Sequence, residues 1–183
     1  NVVLSHYHGD HINGLRNKAG QLVYPNARVH VPAPEHAFWM DDARMEAAPP
    51  GMKGAFMAVR RALGNLGGDQ LVKFEPGAVI APGITSVAAF GHTPGHTLFR
   101  MDSEGQSFAY VADITNVPSL FARAPDWSVL FDMNPVMARM SRRRVFDMLV
   151  KDKMMAGGFH FPFPAFGTME ASGNGYQFKP VAA

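Results

Sequence analysis

The apolar positions of this chain change period several times, and each change marks an element. Val2-Val3-Leu4 is a short continuous apolar run closed by Ser5, the pattern of a buried strand. A short helix is expected from His11, and a second strand over 28–32. Pro32-Ala33-Pro34 then opens a helix over Glu35 to Met45, because proline suits the first helical turn. Ala48-Pro49-Pro50-Gly51 breaks it. Met52, Phe56, Val59, Leu63 and Leu66 recur at three- and four-residue steps, which predicts an amphipathic helix. Strands are expected near 71–74, 79–81, 84–90, 97–101 and 107–112. A last helix is expected over 137–154, with Ser141 near its start and Val145, Met148 and Leu149 on its apolar face. Mixed strands and helices in this order predict an α/β domain.

The polar residues that follow these runs bring in the chemistry. His6-Tyr7-His8-Gly9-Asp10-His11 leaves the first strand and offers four groups that bind borderline cations such as zinc. Four ligands so close on one loop cannot all reach one ion. Alternate residues point in different directions, so His6 and His8 would serve one metal and Asp10 and His11 a neighbour, which suggests a two-metal site. Further ligand types follow in order: His92-Thr93-Pro94-Gly95-His96-Thr97 after the 84–90 run, Asp113 after Phe108–Ala112, and His160 after the last helix. The Pro-Gly pair makes a tight turn able to aim His96, whereas His92 is expected to support the turn. Loops at one edge of a rigid sheet commonly build such a site. His30 and His36 read as surface or packing residues.

The order H-x-H-x-D-H, G-H-T-P-G-H-T, strand-end Asp, final His resembles the metallo-β-lactamase superfamily. The resemblance runs from His6 to the Gly175-Tyr176 tail. His160-Phe161-Pro162-Phe163-Pro164, the Gly-Tyr-x-Phe ending and Phe38-Trp39 are similar to the branch that includes methyl parathion hydrolase. The resemblance implies an αββα sandwich, with His6, His8 and His96 on a first metal, Asp10, His11 and His160 on a second, and Asp113 bridging. It implies two divalent ions, zinc first, with Mn2+, Co2+ or Fe2+ also suited to the donor set. Such a pair lowers the pKa of a shared water, so a metal-bridging hydroxide would attack an ester, lactone or phosphotriester, with Asp10 also orienting it. Phe38, Trp39 and Phe56 are expected to wall a substrate pocket, with Phe121, Trp127, Phe131 and Phe166 as further candidates. Acyl-homoserine lactonases often carry tyrosine three residues after the bridging Asp; here that position is Asn116, also placed in the pocket.

Composition sets limits. The 183 residues are 47% hydrophobic and 17% charged, with a formal charge of +2, consistent with one soluble globular domain over 1–183. No apolar run approaches the roughly 18 residues of a membrane span. Without cysteine there are no disulfides and no thiol nucleophile, which leaves cytoplasm and periplasm both open. The chain starts at Asn1 on the strand feeding the first motif, so further N-terminal strands are expected to be missing. The expected partner is a small-molecule substrate, not nucleic acid or membrane, with a homodimer left open. Arg142-Arg143-Arg144 and a pI of 9.1 are the only support for a nuclease, and such a run usually lines a solvated helix face. The alternative on the same fold is a single-iron persulfide dioxygenase, which would leave Asp10, His11 and His160 without a metal.

Overall fold

In the computed structural model, which describes residues 1–182, the chain resolves into two units, Asn1–Glu75 and the chain from Pro76 onward. The first is a parallel three-stranded sheet in the order β1 (Val2–Val3), β2 (Val29–Pro32), β3 (Leu71–Phe74). Val29, at the start of β2, pairs with Val2 on one side and Leu71 on the other. Parallel neighbours need crossovers, and helices supply them: α1 (Gly9–Ile12), α2 (Ala33–Met40), α3 (Asp42–Ala47) and α4 (Pro50–Leu63). The helix expected over Glu35 to Met45 is two. Asp41 is extended, and its carboxylate accepts the Arg44 N–H at 3.0 Å, capping a new helix where the old one would have run on. In α4, Phe56, Val59, Ala62 and Leu63 are buried, matching the expected stripe, but the helix stops at Gly64 rather than Leu66.

The second unit is a seven-stranded sheet, ordered β10-β9-β8-β7-β6-β5-β4. Its strands are β4 (Val79–Ala81), β5 (Ile84–Ala88), β6 (Thr97–Ser103), β7 (Gln106–Tyr110), β8 (Met155–Gly157), β9 (Phe166–Ser172) and β10 (Gly175–Pro180). All pairs are antiparallel except β7 with β8. The crossover between those two carries α5 (Pro118–Arg123), which packs on β10, and α6 (Pro135–Lys151), which packs on β9. Val145, Phe146 and Leu149 of α6 meet Leu98, Ala109, Met169 and Tyr176 in one apolar core. Asn134 caps α6 by accepting the Met137 N–H. Ser141 lies inside the helix, and its hydroxyl donates to Phe90 O at 2.7 Å. Asn134 competes better for the helix start because Pro135 follows it at the first helical position.

Phe146 is fully buried, with its ring 5.2 Å from that of Tyr176. Phe146→Ala should destabilise the protein by about 3–5 kcal/mol, read from urea unfolding, because the close-packed core cannot fill the space.

Candidate metal centre

In the N-terminal unit the first motif begins where β1 ends. His6 is buried, and its ring lies 4.9 Å from that of His8 and 4.1 Å from that of His11. His8 stands at the start of α1, which places Asp10 in its first turn, 3.4 Å from His11 Nε2. Tyr7 between them points the other way. Its hydroxyl hydrogen-bonds His36 Nδ1 at 3.0 Å, and its backbone N–H donates to Glu35 Oε1 at 3.0 Å. Burial and the Glu35 charge hold the Tyr7 phenol well above the usual tyrosine range, so it stays protonated. Glu35 is fully buried, and the same Oε1 accepts the Trp39 Nε1–H at 2.9 Å.

In the C-terminal unit, sheet register decides which side chains meet. Tyr110 pairs with Gly157 across the parallel β7–β8 pair. Asp113 and His160 each lie three residues further on, and His160 Nε2 is 3.2 Å from Asp113 Oδ2. Ala88 pairs with Thr97, so the turn between β5 and β6 opens at the same edge. Gly91 allows that turn. Its φ is 126°, and a Cβ there would lie 2.1 Å from Ala138 N.

At this turn the structure departs from the sequence expectation. His96 is fully buried with both ring nitrogens committed: Nδ1 lies 3.0 Å from Ala89 O, and Nε2 accepts the Asp113 N–H at 3.1 Å. His92 Nε2 instead faces the carboxylate, 3.4 Å from Asp113 Oδ2, while Nδ1 is 2.9 Å from Asp132 Oδ1. The two histidines exchange the expected roles, because the turn aims the first ring, and not the second, at Asp113. The residues that group as candidate metal ligands are His6, His8, Asp10 and His11 in one unit and His92, Asp113 and His160 in the other. Imidazoles and carboxylates suit divalent zinc-like ions, and Asp113 Oδ2 is approached by two imidazoles.

A profile of the metallo-beta-lactamase superfamily matches residues 1–155. The chain belongs to that superfamily. Among solved structures, hydrolase AbOPH of the beta lactamase superfamily is 25% identical, with a TM-score of 0.91 over 99% of this chain and 64% of that one. AidC, a dizinc quorum-quenching lactonase, is 26% identical, with a TM-score of 0.85 over 99% and 64%. A probable metal-dependent hydrolase from Staphylococcus aureus, 22% identical with a TM-score of 0.76 over 100% and 63%, bears on the fold alone. The chain spans just under two thirds of the length of these relatives. No curated protein matches it in sequence.

Other expectations for this metallo-β-lactamase-superfamily chain need correction. Trp39 and Phe56 are 2% and 1% exposed, and their rings pack 4.8 Å apart with Phe38 against both. They are core, and Trp39 serves Glu35 rather than a substrate wall. Phe121 is buried under the Arg142 guanidinium, whereas Trp127 and Phe131 are exposed. Asn116 Nδ2 is 3.4 Å from Asp113 Oδ2, at the carboxylate itself. Arg142 is 2% exposed and turned inward, whereas Arg143 is partly exposed and Arg144 exposed, so only the first residue of the arginine run leaves the solvated face. Among the described residues no helix is long and apolar enough to cross a membrane. The supporting roles of Glu35 and Asp132 escaped the sequence reading, and Arg142 was read only as part of a charged run; the Glu35–Trp39 spacing, four residues on a helix, was the one hint.

Two expectations follow from these contacts. Glu35→Ala leaves the Tyr7 and Trp39 donors without their acceptor, at about 1–3 kcal/mol each, whereas Glu35→Gln keeps an acceptor oxygen and most of the stability. Urea unfolding of the two variants separates them. His92 is pushed up to about 9: burial opposes the charged ring, and the adjacent Asp113 and Asp132 outweigh it. A raised pKa contributes stability that is complete below the ordinary value of 6.5 and lost as pH rises through about 9. Metal-free protein should therefore unfold at progressively lower urea across that window, and a flat profile would contradict the assignment.

Proposed function

We propose that this chain carries the metal-binding core of a dinuclear metal-dependent hydrolase that cleaves small esters, lactones or phosphotriesters. The observation that carries the reading is Asp113, whose Oδ2 is approached by His92 Nε2 and His160 Nε2. In this reading the ligands are drawn from His6, His8, Asp10 and His11 in the N-terminal unit and from His92, Asp113 and His160 in the C-terminal unit. Asp113, approached by two imidazoles, is the carboxylate read as shared by two ions. AidC, 26% identical, is described as a dizinc lactonase, which supports zinc and the lactone part of this substrate range.

Two bound divalent ions would supply Lewis acidity and lower the pKa of water. The chain's own groups do the rest. Asp113 contributes negative charge where the cations gather, and Asp10, about half exposed, can accept a proton at the solvent side. Asn116, beside Asp113, offers an amide donor to an oxygen of a substrate. His96 ligates nothing in this scheme; accepting the Asp113 N–H, it fixes the backbone from which the shared carboxylate projects.

Elemental analysis of the purified protein should give two equivalents of zinc or a similar ion per chain. Asp113→Ala should lose metal and turnover together, and His92→Ala at least one equivalent. One equivalent of iron with no hydrolysis of aryl esters, lactones or phosphotriesters would overturn the reading in favour of a dioxygenase.

A further inference from the structure

We propose that Asp132, locked by Arg142, is a positioning residue that sets the tautomer of His92 and so aims its Nε2 lone pair at the metal. The proposal rests on His92 being a ligand, as above. Asp132 has a side chain only 1% exposed, and its two oxygens do different work. Oδ1 lies 2.9 Å from His92 Nδ1. Oδ2 accepts the Val129 N–H at 3.2 Å and lies 3.4 Å from Arg142 Nη2.

Arg142 cannot swing away. Its Nε donates to Ile114 O at 2.8 Å, its Nη1 to Pro125 O at 2.9 Å and to Trp127 O, and its guanidinium lies over the Phe121 ring. The backbone ties the same loop to the ligand turn: Met133 N–H donates to His92 O at 3.1 Å and Asn134 N–H to Gly91 O at 2.8 Å. Asp132 can therefore neither rotate nor retreat from His92.

A carboxylate has no proton to give, so the nitrogen facing it must carry the hydrogen. Both ring nitrogens face a carboxylate, Nδ1 at 2.9 Å from Asp132 Oδ1 and Nε2 at 3.4 Å from Asp113 Oδ2, and the shorter contact holds the proton of the neutral ring on Nδ1. Nε2 is then left able to ligate, the arrangement in which an outer carboxylate also raises ligand basicity. Asparagine at this position would do the reverse. Arg142 and the Val129 N–H offer only donors, so the amide oxygen must turn to them. The amide NH2 is then left facing His92 Nδ1, which drives the ring proton to Nε2, where it blocks the metal.

The test is the His92 tautomer, read by 15N–1H correlation of the imidazoles in metal-free protein at alkaline pH, where the ring is neutral. Wild type should show the Nδ1–H form, and Asp132→Asn the Nε2–H form. Asp132→Asn should also bind zinc about 10–100-fold more weakly at the affected site, by competition with a chelator. Circular dichroism reports whether the variant folds, and the wild-type tautomer is decisive by itself if it does not. Nε2–H in wild type, or Nδ1–H with unchanged zinc affinity in a folded Asp132→Asn, would overturn the proposal. If wild type holds the Nδ1–H form yet binds no zinc, the function above fails; the proposal fails with it, leaving Asp132 a structural anchor.

Discussion

Glu35 is fully buried, and a carboxylate removed from water must collect hydrogen-bond donors or destabilise whatever surrounds it. Its donors are the Tyr7 N–H and the Trp39 indole N–H, one from the histidine loop and one from α2. Satisfying the charge therefore fixes the backbone midway between His6 and His8. Asp132 answers the same demand in the second unit, with Arg142 and the Val129 N–H on one oxygen and His92 on the other. In both units an inaccessible acid holds a histidine-bearing segment that the local sequence would leave loose. Both acids lie outside the candidate ligand set.

The sheet supplies what these acids cannot, which is the side on which the ligands emerge. A parallel neighbour pair ends its two strands together, and this one places Asp113 and His160 at equal distances past Tyr110 and Gly157. Antiparallel β5 and β6 bring their joining turn to that edge as well. The histidine turn, the carboxylate and the last histidine are thus brought to one edge by strand register.

Much of this was legible in the chain. Continuous apolar runs marked β1 to β7, and the spacing of Phe56, Val59 and Leu63 marked α4, because periodicity records which face is buried. The ligand-type residues were visible as strand-end histidines and aspartates. β8, β9, β10 and α5 were not anticipated, since Met155-Ala156-Gly157 is too short and Phe166–Ser172 too mixed to announce a strand. The choice between His92 and His96 was invisible for a different reason. Each sits in the same GHTPGHT pattern, and only the carbonyl of Ala89, the N–H of Asp113 and the distant Asp132 distinguish their ring nitrogens. Likewise Trp39 carries the same aromatic signal in a core as in a pocket wall, and burial alone separates the two.

Gly91 limits how such a centre can vary. Its backbone lies so close to Ala138 at the start of α6 that no side chain fits, and its φ is one that L-residues rarely adopt. A library of substitutions through the β5–β6 turn would therefore return glycine at this position whatever substrate was selected. New specificity in this scaffold has to be recruited from segments that do not share a backbone wall with a helix, such as the exposed stretch around Trp127, Leu130 and Phe131.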